Sequence, residues 1–153
     1  MSKFFDFDEQ LRIGRKGERL LLLKWPDPVC KHEVLTGPDF VDSKGRVIEL
    51  KTDTYDMDRT HNFFFERFSN VETQSPGGIW QAALKGSTCF VYLFINNKRW
   101  FIFEDLPALC AKVEQLIIDK NLVMHKVQNR NWVTGGYKIP RAAVRDLYRE
   151  EVL

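Results

Sequence analysis

From about Asp8 to Trp25 the apolar positions recur at helical spacing, and the run stops at Pro26-Asp27-Pro28, where proline removes a backbone donor and bars further helix. Leu11, Gly14, Glu18, Leu21, Leu22 and Trp25 fall on one side of that predicted helix, with Arg12, Arg15, Lys16 and Arg19 on an adjoining stripe. Glu18 is the anomaly, a carboxylate on the apolar side. After the prolines the period shortens to two. Lys31–Leu35 and Asp39–Asp42 read as strands, and Ser43-Lys44-Gly45 turns the chain into a further strand over Arg46–Asp53. Alternation there puts Ile48 and Leu50 on one face and Val47, Glu49 and Lys51 on the other.

A β-like run over Asn62–Phe68 follows a polar connection from Thr54 to His61. Gln74–Gly78 reads as a loop leading into a short helix around Ile79–Lys85. Thr88–Ile95, almost wholly apolar, reads as a central strand covered on both faces, turned at Asn96-Asn97-Lys98 into Arg99–Phe103. Leu106, Leu109, Cys110, Val113, Leu116 and Ile117 mark an amphipathic helix. A strand near Leu122–Val127, a loop over Trp132–Tyr137 and a final helix from Pro140 complete the chain. On that last helix Arg141, Arg145 and Arg149 would form a basic stripe. Strands mixed with helices predict an α/β single domain, a mixed sheet flanked by helices.

Composition narrows the class. The 153 residues suit one domain, and 44% hydrophobic content with 12 Phe and 4 Trp suffices for a core. No apolar run approaches the roughly 18 residues of a membrane-spanning helix. Acidic residues arrive too early for a secretion signal, so a cytoplasmic protein with no membrane partner is expected. Cys30, Cys89 and Cys110 read as reduced, packed thiols and not as a zinc site or disulfide frame. With 23 basic against 21 acidic residues, total charge does not announce a nucleic-acid binder. Only the basic stripes, Arg12, Arg15, Lys16 and Arg19 foremost, offer phosphate contacts, and stripes of this kind also serve as plain solvated faces.

The chemistry centres on Asp39, Glu49 and Lys51. Two strands joined by a tight turn can set Asp39 beside Glu49, and Glu49 shares a face with Lys51. Adjacent carboxylates repel unless a cation lies between them; Mg²⁺ or Mn²⁺ suits such hard oxygen donors. A neighbouring lysine can orient or deprotonate the attacking water and offset phosphate charge. Glu18 is a further candidate ligand. Each has an ordinary alternative: turn chemistry for Asp39, a solvent-facing pair for Glu49 and Lys51, a salt bridge with Arg15 or Arg19 for Glu18.

Pro38-Asp39, nine intervening residues, then Glu49-Leu50-Lys51 resembles the signature of the PD-(D/E)XK nuclease superfamily. The stretch Gly14-Arg15-Lys16-Gly17-Glu18-Arg19 is similar to the first-helix glutamate region of archaeal-type and phage Holliday-junction resolvases. The resemblance covers about residues 8–104 and leaves 105–153 as an extension. It implies a restriction-endonuclease-like fold with the order helix, three-stranded meander, helix, strand. It further implies that Asp39, Glu49 and the Leu50 carbonyl hold the metal, that Lys51 acts on the water and that Glu18 completes the site. The expected activity is metal-dependent cutting of four-way DNA junctions by a twofold homodimer, phage-encoded in one version. The Thr88–Phe103 hairpin or the C-terminal helix would supply its interface. Alternatives are a sequence-reading restriction, repair or transposon-type nuclease and a non-catalytic DNA-binding protein.

Glu66, Arg67 and Ser69 either extend the site or belong to a salt-bridged strand. Arg67 and Gln81 are candidate DNA contacts. Some nucleases of the superfamily follow the glutamine four residues later with an aromatic, where this chain has Lys85. His32, His61 and His125 lack metal-ligand spacing. Trp80 and Trp132, near predicted loops, are candidates to stack on bases.

Overall fold

The structure is a computed structural model and describes residues 7–31 and 40–153. Helix α1 (Phe7–Lys24) is followed by strands β1 (Val29–Lys31), β2 (Phe40–Asp42) and β3 (Val47–Asp53). These three pair as an antiparallel meander, with Gly45 at φ 81° in the turn between β2 and β3. Strand β1 starts at Val29, ahead of the strand predicted over Lys31–Leu35; residues 32–39, which include the rest of that predicted strand and Asp39, lie outside the described residues.

The chain then runs through β4 (Asn62–Asn70), β5 (Ser75–Pro76) and α2 (Gly78–Leu84) before β6 (Cys89–Phe94). Strand β6 lies parallel to β3, as a crossover of this length permits. β7 (Arg99–Phe103) returns antiparallel, and α3 (Leu106–Asp119), β8 (His125–Gln128), β9 (Val133–Pro140) and β10 (Arg149–Val152) follow. Two sheets result: a mixed one ordered β1-β2-β3-β6-β7-β10 and an antiparallel one ordered β5-β4-β9-β8. The fold is mixed α/β, as the patterning predicts.

Both faces of the mixed sheet are covered. Cys89, Val91 and Leu93 of β6 and Trp100 and Ile102 of β7 pack with Leu21 and Trp25 of the first helical region. Alternation sends Phe90, Tyr92, Phe94, Phe101 and Phe103 the other way, onto the second sheet, α2 and α3. Phe63 of β4 sits in this second core, 4.9 Å from Tyr92 and 5.1 Å from Phe101 between ring centroids. Leu106, Leu109, Val113, Ile139 and Val144 join the same cluster, so the C-terminal third completes the core.

Several expectations are corrected. The buried side of α1 carries Ile13, Gly17 and Leu21, while Leu11 and Leu22 are 44% and 46% exposed. On a wheel the packed face is about a quarter turn from the predicted one. Close approach explains it: a Cβ on Gly17 would fall 1.9 Å from Thr52 Oγ1 of β3, so the helix rests its glycine on the strand. Trp132–Tyr137 is not a loop, because β9 pairs with both β4 and β8 through Gly135 and Gly136.

The final helix is replaced by a 3₁₀ segment (Arg141–Leu147) and β10, so no Arg141–Arg145–Arg149 stripe exists. Arg141 instead donates to the carbonyls of Thr60 and Met57, and Arg149 pairs with Glu104 and Glu151. Strands β6 and β7 are enclosed between β3 and β10 and covered on both faces, which removes the Thr88–Phe103 hairpin as a dimer interface. Cys89 is buried and Cys110 half-buried, and burial pushes their thiols up to about 12 and about 11; Cys30 is exposed, against expectation.

Candidate functional site

Strand β3 positions the centre of the site. Ile48 and Leu50 face the α1 side, so Glu49, Lys51 and Asp53 share the opposite face by strand alternation. Glu49 and Lys51 are half-buried and Asp53 is buried. The Lys51 ammonium lies 5.8 Å from the Phe64 ring centroid and 5.9 Å from that of Tyr92, a cationic head held over two aromatic faces. Asp53 accepts from the Tyr92 hydroxyl and, at 2.8 Å, from the Tyr55 backbone N–H. Burial first, and then the Asp53 carboxylate, raise the Tyr92 phenol well above its ordinary value, so it remains a proton donor.

Lys51 and Asp53 line a cleft of about 700 Å³ together with Phe64 and Glu66 of β4 and His125, Lys126 and Lys138 of the β8–β9 hairpin. Glu66 is held against the start of α2: a Cβ on Gly77 would lie 2.9 Å from its Cγ, and one on Gly78 2.5 Å from its carbonyl oxygen. Only glycines admit so close an approach. Burial raises the Glu66 carboxyl above its ordinary value, and the Lys51 ammonium opposes part of that rise. Glu66 thus lies on strand β4, lines the cleft and is in no ion pair among the described residues.

The other expected residues do not converge here. Glu18 is half-buried on the flank of α1 and pairs with Lys31 of β1 at 2.7 Å; it does not point inward, and its partner is neither Arg15 nor Arg19. Arg12, Arg15, Lys16 and Arg19 are exposed on the outer side of α1, beyond the sheet from Lys51, and Arg12 pairs with Glu9. Arg67 stacks 4.9 Å from the Trp80 ring and 4.8 Å from that of Phe68, a packing role. Gln81 is exposed on α2, and neither Arg67 nor Gln81 lines the cleft. Trp80 is buried with its indole N–H on Glu114, which removes it as a base-stacking surface. Trp132 is 37% exposed but does not line the cleft.

Sequence reasoning passed over Asp53, although the Glu49–Lys51 alternation carried two residues further reaches it. Lys126, Lys138 and His125 had no local signal, since only the pairing of β8 and β9 with β4 brings them to the cleft that Lys51 lines. Among the described residues no three His, Cys, Asp or Glu side chains are grouped to hold one metal ion. What the described part of the expected donor set offers a hard divalent cation is the Glu49 carboxylate and the Leu50 carbonyl, oxygen donors of the right type. Asp39 lies outside the described residues. No helix among them is long and apolar enough to cross a membrane.

The fold and cleft thus define a mixed α/β protein with a lysine-centred, carboxylate-bearing groove between two sheets. No protein-family model matches the chain, and no curated protein matches it in sequence.

Proposed function

We propose that the chain is a Mg²⁺- or Mn²⁺-dependent endodeoxyribonuclease that hydrolyses phosphodiester bonds in branched DNA, four-way junctions first. One observation carries this reading. Glu49 and Lys51 share one face of β3, the last strand of the meander, and Lys51 opens into the cleft. The element order adds support: with β4 and β5 set aside, which stand between β3 and α2, it runs α1, β1–β2–β3, α2, β6, the order that the sequence resemblance implies.

Glu49, the Leu50 carbonyl and Asp39 would hold the cation. When bound, it supplies Lewis-acid polarisation of the phosphate and easier ionisation of a water. The side chains supply the rest. Lys51 offsets negative charge that develops on the phosphate, and the rings beneath it fix its direction. Glu66, whose affinity for a proton is raised, is suited to receive one beside Lys51. Two paired cuts across a symmetric junction call for a twofold homodimer.

The test is cleavage of a labelled four-way junction beside a linear duplex of matching sequence, each with Mg²⁺ and with EDTA. Wild type should leave paired, metal-dependent nicks on the junction alone. Lys51→Ala should cut at least about a hundredfold more slowly while binding the junction as before. Equal cutting of the linear duplex would keep a nuclease and remove the junction preference. Binding without cutting of either substrate would leave a non-catalytic DNA-binding protein.

A further inference from the structure

The second sheet turns one face to the core and the other to the cleft. Antiparallel partners project to the same side, so the pairs Phe64↔Lys138, Glu66↔Gly136, His125↔Gly136 and Val127↔Thr134 define a single outward face. Phe64, Glu66, Lys138, His125, Val127 and Thr134 all line the cleft that Lys51 enters from the first sheet. Gly136 keeps the floor of this face low, since a Cβ there would meet Phe64 Cζ at 2.6 Å and the Phe65 carbonyl oxygen at 2.7 Å.

The charge of the cleft is unbalanced. Lys51, Lys126 and Lys138 stand against Asp53 and Glu66. Asp53 is already engaged by Tyr92 and Tyr55, and burial favours the neutral form of Glu66. Lys126 and Lys138 are exposed, and among the described residues neither is held in an ion pair. The three cations stand on three strands: Lys51 on β3, Lys138 on the outward face of β9, and Lys126, which pairs with Gly135 and so is out of phase with that face, exposed on the edge strand β8 where it still lines the cleft. That spread suits a run of phosphates better than one small anion.

We propose that the β8–β9 hairpin is a phosphate-backbone track, on which Lys126 and Lys138 hold the DNA strand whose phosphate is presented to Lys51. This rests on the nuclease reading but concerns residues to which the resemblance assigns nothing. It gives the C-terminal extension a role in substrate binding.

The experiment measures binding of a fluorescein-labelled four-way junction by anisotropy across a salt series, in EDTA so that nothing is cut. Lys126→Ala/Lys138→Ala should lower the slope of log affinity against log salt by about 2, one unit per lost phosphate contact. At about 0.1 M salt its affinity should fall roughly tenfold or more. Lys112→Ala/Lys120→Ala, on α3 and at its C-terminal cap, with the same charge change away from the cleft, should keep the wild-type slope, and equal melting temperatures establish that both variants fold. An unchanged slope in the first variant, or an equal loss in the second, overturns the track. A wild type that cuts the junction while the first variant keeps its slope overturns the track alone; a wild type that binds no DNA overturns the nuclease reading with it.

Discussion

Glu66 is a residue on which burial and charge pull in opposite directions. Burial raises its carboxyl and Lys51 only partly restores it. The folded state therefore binds that proton more tightly than the unfolded chain does, and Glu66 contributes stability that is lost as pH rises through its folded pKa. Glu66→Gln should accordingly melt with wild type under acidic conditions, below the ordinary carboxylate pKa, and above it at pH 8. Thermal melts of both proteins across that range check the sign; a difference that is flat with pH, or that shrinks as pH rises, would show that Glu66 is ionised without cost. At this scale the sequence was informative about type but not about environment. The alternation Glu49–Lys51 was legible because strand geometry is local. The burial of Glu66 was not, because it depends on Gly77 and Gly78 arriving from the next element.

Between elements, the α1–β3 contact shows how packing overrides pattern. Leu11 and Leu22 are the obvious apolar pair of α1, yet the helix settles on Ile13, Gly17 and Leu21. The glycine lets the helix approach Thr52, and Leu21 then joins the buried cluster of Ile48, Val91 and Trp100 on the sheet. In an exposed helix Gly→Ala would stabilise by about 1 kcal/mol. Here Gly17→Ala should instead destabilise by roughly 1–3 kcal/mol, the usual cost of overpacking. Thr52→Ala in the same chain should recover most of that loss, since the nearest atoms belong to the Thr52 side chain. Chemical denaturation of the four proteins forms the double-mutant cycle, and additive effects would place the clash elsewhere. The anchoring at the other end of α1 is polar. The Trp25 indole donates to Asp42 at 3.1 Å, and Arg46 pairs with the same carboxylate at 2.6 Å, tying the helix to the β2–β3 turn.

For the molecule as a whole, the two sheets share one aromatic core, with Phe63 of the second sheet against Tyr92, Phe101 and Phe103 of the first. Neither sheet buries its inner face without the other, so they should unfold together. Phe63→Ala should cost about 3–5 kcal/mol, and amide exchange should lose protection equally in β6 and β9; protection kept in β6 alone would show two separable units. The sequence by itself determined the order of the longer strands and helices from α1 to α3, the meander that carries Glu49 and Lys51, and the apolar identity of β6. These follow from period, turn chemistry and the run of side chains along one segment, all of them local. The tertiary structure alone decided that residues 133–140 form a strand, that Arg141 turns inward, and that Lys126 and Lys138 line one cleft with Lys51. Those outcomes depend on which surfaces remain to be covered once the first sheet has formed, and a covering surface leaves no periodic trace in the segment it recruits.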